Sequence, residues 1–561
     1  MTSVALPRAA QRMPRLAQAR TIAEGRRERI EQSVLFLVAW LAYFAVGYRY
    51  VVQHHVLTVD ATSRYAHAFF IWHNDPPKLA AVGFIWAPIS TLIFLPAAAL
   101  RALSTSLVGM PLTTAAFGAG LIVVLYRGLR VVQMPKLQAL TLVLAFGANP
   151  MIVYYAVNGM SEVPYLFFLT VAMVQFMLWF LSREPKHLIV CGIMISLGLL
   201  TRYEVLLWGF LLVPVLTVAM IRQRVSRDYL EGTLIAFLAP IAYGLGMWIF
   251  LNWLIQGNPF YWLTPQTGSK QTEAAAPPIS NAVHWDAVET LRHVVDVYWQ
   301  LFPPTLLVFA ALLLGFVLRR GRDMMMLTLA AILAVNVGFI WALTFKTHLP
   351  GFTQLRYNMR DMPLTLVAMS WLYLAVGGRW RRHALWLACL VSIVATYPTT
   401  WHAMKTFRYQ FLEQAFTRSL AQDRDQEGTR SLGWSLGVDE YGKAAHYDVG
   451  VGAAQRMGDY VTRVEAPRSS ILTDDAQTFW VMLLCGCPQR FFDRIDYGDA
   501  RWLDAVATPW GRVRYILVTD HYDDQLALHW PALRTPGKLK WAHLVRREPG
   551  YLLYRVDARE R

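Results

Sequence analysis

Charge is what this sequence has least of. Asp, Glu, Lys and Arg together make up 16% of its 561 residues, against roughly 25% in soluble domains. With 55% of residues hydrophobic and a mean hydropathy of +0.33, the shortage excludes an ordinary soluble protein and points to a polytopic membrane protein. Cysteine is almost as scarce, at 4 residues. Cys191 and Cys389 fall inside apolar runs, where a thiol is a small hydrophobe. Cys485 and Cys487, in CGC, lack the second pair that a zinc site of the usual spacing needs. An exposed thiol pair and a strained disulfide both fit them, and no function attaches to either. No convincing small-residue cleavage site follows the first apolar run, which reads as an uncleaved signal anchor. There is no repeat long enough for a solenoid, nor the inverted-repeat pattern of transporters.

The charge that is present carries an excess of +16. In a chain of many apolar spans such an excess sits in cytoplasmic loops, which argues for a topology and against a nucleic-acid partner. Residues 1–32 form a basic cytoplasmic tail. Arg20, Arg26, Arg27 and Arg29 precede the first span, Ser33 to Val52, so the chain emerges outside after it. A first outer loop then covers 53–111. Its apolar part, Phe84 to Leu103, contains Pro88 and Pro96 and reads as interfacial or re-entrant, because a span there would put Arg127, Arg130 and Lys136 outside.

From Leu112 onward the apolar runs include Leu188 to Leu200, Val205 to Ile221, Tyr298 to Leu318, Met362 to Val376 and Leu385 to Tyr397, for about eleven spans in all. Arg183 with Lys186, Arg222 with Arg224 and Arg227, Arg319 with Arg320 and Arg322, and Arg379 with Arg381 and Arg382 then all lie inside. The expected architecture is an α-helical polytopic membrane domain over 33–400, followed by a small extracytoplasmic α/β domain over 401–561. In that domain SSILTDD closes a β-rich run, AQTFWVMLL is helical, and RVRYILVTD and YLLYRVD are strand-like. The expected location is a bacterial cytoplasmic membrane, with the N-terminus inside.

The unusual stretch is Leu57 to Pro77, LTVDATSRYAHAFFIWHNDPP. It is too polar to cross a membrane. A helix starting after Asp60 puts Ala61, Tyr65, Ala68, Phe69 and Trp72 along one side, with Ser63, Arg64 and His67 facing another way, and would lie in the interface plane. Asp60 reads either as the N-cap of that helix, with Arg64 as an i,i+4 partner, or as a general base. The other embedded charges fall on the same outer side: Asp75, Glu162 in NGMSEVP, Arg202 and Glu204 in TRYE, and Lys346, His348, Arg356, Arg360 and Asp361 around FKTHLPGFTQLRYNMRD. Such groups mark a site or a pairing network. Arg202 and Glu204 read as mutual support in a hairpin or as site residues. Glu162 reads as a complement to a helix dipole or a second carboxylate. Arg356 reads as a snorkelling arginine or, with Lys346 and His348, as an anion site suited to phosphate.

The chain resembles the GT-C superfamily of membrane glycosyltransferases, in particular the bacterial branch related to protein O-mannosyltransferases and aminoarabinose transferases. The likeness rests on Asp60 in VDATSR, the GFIWAPISTL segment, TRYE at Thr201 to Glu204, and the pair Arg356 and Tyr357 opening a late span. The Asp-Glu pair of many mannosyltransferases is absent, since Ala61 follows Asp60. The resemblance implies an inverting transfer from a polyprenyl-phosphate sugar donor, presented from the outer leaflet, with Asp60 as base. The acceptor would be a hydroxyl on a glycan, lipid or protein.

The residues fit that chemistry independently. A carboxylate within hydrogen-bond reach takes the acceptor's proton, and a lipid-phosphate leaving group needs cations, supplied by Arg356, Arg202 or Lys346. Arg64, Asp75, Glu162, Glu204, His348 and Tyr357 form the second tier. No cofactor is expected: Asp60, His67 and Asp75 are the groups that would hold a divalent ion, but no metal set of recognisable spacing is present. The competing reading is a lipid or sugar transporter or flippase. The long first outer loop and the outer domain argue against it, as does the scarcity of polar groups at mid-membrane positions.

Overall fold

The computed structural model describes residues 22–83, 86–263, 286–319, 321–347, 354–406, 411–422, 451–519 and 524–557. The chain enters through α1 (Ile22–Gly47), which continues as a π-helical turn to Gln53. The first loop holds α2 (Val59–His73). Beyond it the chain breaks into short helical pieces, Ile89–Leu92, Leu95–Ala98 and Arg101–Thr105. The prolines at 88 and 96 leave these segments without the ladder of a crossing helix.

The bundle then follows as α3 (Gly109–Val131), α4 (Lys136–Gly147), α5 (Pro150–Val157), α6 (Glu162–Ser182), α7 (Pro185–Leu199), α8 (Leu206–Arg222) and α9 (Arg227–Gln256). It is completed by α10 (Ala287–Leu301), α11 (Pro304–Leu318), α12 (Met324–Thr347), α13 (Asp361–Ala375) and α14 (Arg379–Thr406). Among the described residues 7 helices are long and apolar enough to cross a membrane, or up to 9 if each bent pair is one span. The helices α7 and α13 have 15 residues each. At about 1.5 Å per residue they fall short of a core roughly 30 Å thick.

Two bends have local causes. Asn149 caps α5, accepting from the Met151 amide at 3.0 Å, and Pro150 follows it, so α4 and α5 meet at 70°. Phe302 and Pro303 separate α10 from α11, which opens on Pro304, and the two helices meet at 108°. The run from Tyr298 to Leu318, expected as one span, is therefore a corner: consecutive prolines remove amide donors and push the preceding residue out of the helical region.

The basic clusters gather at one end of the bundle. Arg222 donates to the Gly321 carbonyl at 3.0 Å, Arg319 to the Ala375 carbonyl at 2.6 Å, and Tyr229 to the Arg183 carbonyl at 3.4 Å. The helices α6, α8 and α13 run from that end to Glu162, the TRYE turn and Asp361 at the other.

The helix α15 (Phe411–Gln422) packs back on α14 and α5, with Phe416 stacked on Tyr154 at 4.8 Å. After it, α16 (Val451–Arg463) leads into a five-stranded sheet of order β2-β1-β3-β5-β4. Its strands are β1 (Ile471–Thr473), β2 (Phe491–Phe492), β3 (Tyr515–Thr519), β4 (Ala542–Glu548) and β5 (Tyr551–Val556). Pairings of β1 with β2 and β3 are parallel, and those of β5 with β3 and β4 antiparallel. Alternation splits the sheet into two faces. Ile471, Leu517 and Leu553 join the core shared with the bundle, while Leu472, Ile516, Val518 and Tyr554 pack around Trp502 on the far side. The first face is covered by α17 (Asp475–Cys485), which rests on α2, and the crossover α18 (Arg494–Ala507) contributes Trp502 to the other. At the end of α17, Cys485 and Cys487 are disulfide-bonded. Gly486, at φ +63°, lies so close to the first loop that a Cβ there would meet Thr105 at 3.0 Å.

Candidate active site

The site is built where α2 meets the ends of α6, α8 and α13. The cap of α2 is Thr58, whose side chain accepts from the Ala61 amide at 3.1 Å. Asp60 is thus the second residue of the helix and is not its N-cap. Nor does it pair with Arg64 one turn on. Its carboxylate, 32% exposed, lies 3.9 Å from Arg356 and accepts no hydrogen bond among the described residues. The helix itself is enclosed, instead of showing a polar face as an interfacial helix would. Ala61, Tyr65, Ala68 and Phe69 are buried, as the periodicity predicts, but so are Arg64 and His67, and Trp72 is exposed. The cover comes from α17 and the short pieces of the first loop, which no local pattern announces.

Opposite α2 lies a network of arginines and glutamates. Arg202 donates to Glu162 at 3.0 Å and to Glu204 at 2.7 Å. Arg360 also pairs with Glu204 and reaches the Asn336 carbonyl at 3.2 Å. The Tyr357 ring collects two cations, Arg356 at 5.0 Å and Arg202 at 5.2 Å, a favourable contact where water is excluded. Arg356 is held by Gln354 at 2.7 Å and Tyr357 at 3.3 Å. Glu162, Arg202, Glu204, Arg356, Tyr357 and Arg360, with Tyr165, line one small cavity. Two glutamates therefore answer Arg202 and Arg360, while the carboxylate nearest to pairing with Arg356, among the described residues, is the more distant Asp60.

The other candidates lie apart. Lys346 is exposed near the end of α12, and His348 lies outside the described residues, as do Phe84 and Ile85 of GFIWAPISTL. Asp75 pairs with Arg468 of the C-terminal domain. His67 is buried against the Ala81 carbonyl, with Nδ1 at 2.9 Å, and burial pushes its pKa below the ordinary value. Asp60, His67 and Asp75 thus face different partners, and among the described residues no three His, Cys, Asp or Glu gather as metal ligands.

Some functional neighbours had no sequence signal. Glu413 of α15, 2% exposed, accepts from Tyr155 at 2.6 Å, bringing a distant segment to the rim of the cluster. Arg360 and Asp361 did carry one, as adjacent charges inside an apolar stretch. Asp361 accepts from Tyr298 and Asn336.

No family model matches the chain, and no curated protein does. Among solved structures it is similar to the crystal structure of ArnT from Cupriavidus metallidurans bound to undecaprenyl phosphate. The identity is 13% and the TM-score 0.54, over 93% of this chain and 97% of that one. The apo ArnT structure from the same organism aligns at 14% identity and a TM-score of 0.49, over 94% and 98%. ArnT is an aminoarabinose transferase of the GT-C type. The chain is a multi-pass membrane protein that shares the fold of ArnT over nearly its full length.

Proposed function

We propose that the protein transfers a sugar from a polyprenyl-phosphate-linked donor to a hydroxyl acceptor, on the membrane face that carries the C-terminal domain. The observation that carries this reading is the meeting of Asp60 with Arg356. The carboxylate is free of capping duty, accepts no hydrogen bond among the described residues, and lies 3.9 Å from a largely buried guanidinium. Asp60 takes the acceptor's proton as the oxygen attacks the anomeric carbon. The bond to the lipid phosphate breaks, and Arg356 stabilises the charge left on that phosphate. A single displacement with one base inverts the anomeric centre.

Arg202, already paired with Glu162 and Glu204, contributes field and holds Tyr357, and Lys346, exposed at the end of α12, attracts the headgroup from a distance. The ArnT neighbour is bound to undecaprenyl phosphate, which supports a lipid phosphate as the donor's leaving group here. The basic clusters at the opposite bundle end support an external site by the positive-inside rule.

The test is Asp60→Asn, assayed with radiolabelled polyprenyl-phosphate sugars in membranes. Transfer should fall by about a hundredfold to ten-thousandfold, with folding and donor binding retained because Thr58 keeps the cap. A variant that turns over like wild type would return Asp60 to a structural role. The chemistry has no step that requires a metal, so turnover should continue in a chelator. Complete loss restored by a divalent ion would overturn that part.

A further inference from the structure

Arg64 is a buried guanidinium beside the cluster that, among the described residues, no carboxylate meets in an ion pair. It is 5% exposed. The Trp86 ring lies 4.4 Å from the guanidinium carbon, and among the described residues the one hydrogen-bond partner of Nη1 is the Met160 sulfur at 3.6 Å. Nε is buried with no partner, and among the described residues Arg64 makes no ion pair. Asp60, four residues earlier and the natural partner on a helix, is turned to Arg356 instead. An arginine cannot shed its proton to escape burial. A buried charge with one stacked ring and a thioether is therefore a standing cost to the fold, unless an anion enters beside it.

The free side-on edge, Nε with its neighbouring Nη2, is the fork that meets two oxygens of a phosphate in parallel. It lies within electrostatic range of Asp60, Glu162, Arg202 and Arg356, inside the same site. We infer that Arg64 and Trp86 form a second phosphate-binding position of the enzyme, separate from Arg356, on the helix that carries the base. The inference rests on the transferase reading above. The phosphate is that of the donor lipid or one carried by the acceptor.

The experiment uses the full-length protein in detergent as wild type, Arg64→Met and Arg356→Ala. Thermal unfolding is followed with undecaprenyl phosphate, then with inorganic phosphate added to the lipid-saturated protein against chloride at equal ionic strength. Without ligand, Arg64→Met should unfold at or above the wild-type temperature, since it removes an uncompensated buried charge. It should also lose affinity for one phosphate probe by about tenfold to a hundredfold. Loss for the lipid assigns the position to the donor; loss for inorganic phosphate alone assigns it to the acceptor. If Arg64→Met binds both probes like wild type, or merely unfolds earlier with binding unchanged, Arg64 is a packing residue and the inference falls while the transferase reading stands. If wild type responds to neither probe, both fall. Should Arg64→Met fail to fold, Arg64→Lys, which keeps the charge and loses the fork, is scored in the same way.

Discussion

At the scale of single residues, the arginines of the site fall into different energetic roles. Glu204 serves Arg202 and Arg360 at once, and all three are largely withdrawn from water. Glu204→Gln leaves two buried guanidiniums short of a counter-charge, and breaking a buried pair from one side costs about 3 to 5 kcal/mol. Its thermal unfolding in detergent should therefore drop sharply. Arg356→Ala should unfold near the wild-type temperature and instead weaken the donor by about tenfold to a hundredfold. If the two variants behaved alike in both measurements, the division between framework and ligand-binding cations would be wrong. Asp60, Arg202 and Glu204 were legible in the sequence because charge is rare there. Which charges pair was not, since Glu162 meets Arg202, and Arg356 meets Asp60, only after the bundle has closed. Of the readings open for Asp60, the cap falls for a local reason: Thr58 and Asp60 both cap well, and the choice depends on where the backbone leaves the extended region.

At the scale of elements, hydropathy placed the apolar runs on helices, but it is blind to corners such as that between α10 and α11. It is equally blind to the burial of α2, whose cover is α17, far along the chain. The C-terminal sheet adds a titration of its own. Asp474 caps α17, and Asp524 caps the helix Gln525–His529 at the edge of the same sheet. Burial first, and then repulsion from a nearby carboxylate, Asp475 for Asp474 and Asp474 for Asp524, push their carboxyls up from the ordinary 3.8, to about 6 for Asp474 and about 7 for Asp524. The folded domain then holds more protons than the unfolded chain between about pH 4 and 7, so its stability falls as pH rises through that window and levels off above it. Hydrogen exchange of the β1 and β3 amides in the full-length protein should show protection declining from about pH 4 to 7 after correction for intrinsic rates. Asp524→Asn should flatten the decline, and an unchanged slope would locate the titration elsewhere.

At the scale of the whole molecule, the two ends of the helices differ in chemistry: basic clusters at one, the acid–arginine network and the sheet domain at the other. If the positive-inside rule holds, a tag placed after Arg561 is clipped by protease added to intact spheroplasts. Full protection of the tag would invert the proposed orientation. The same arrangement sets a timetable. Because α17 and Arg468 lie against the first loop, the cover over the helix bearing Asp60, begun by the short pieces of that loop, is completed only after about four hundred further residues have left the ribosome. A nascent chain halted after α14 would sit in the membrane with the Asp60 helix only partly covered, so the candidate site closes only once the C-terminal sheet domain has been made and has docked.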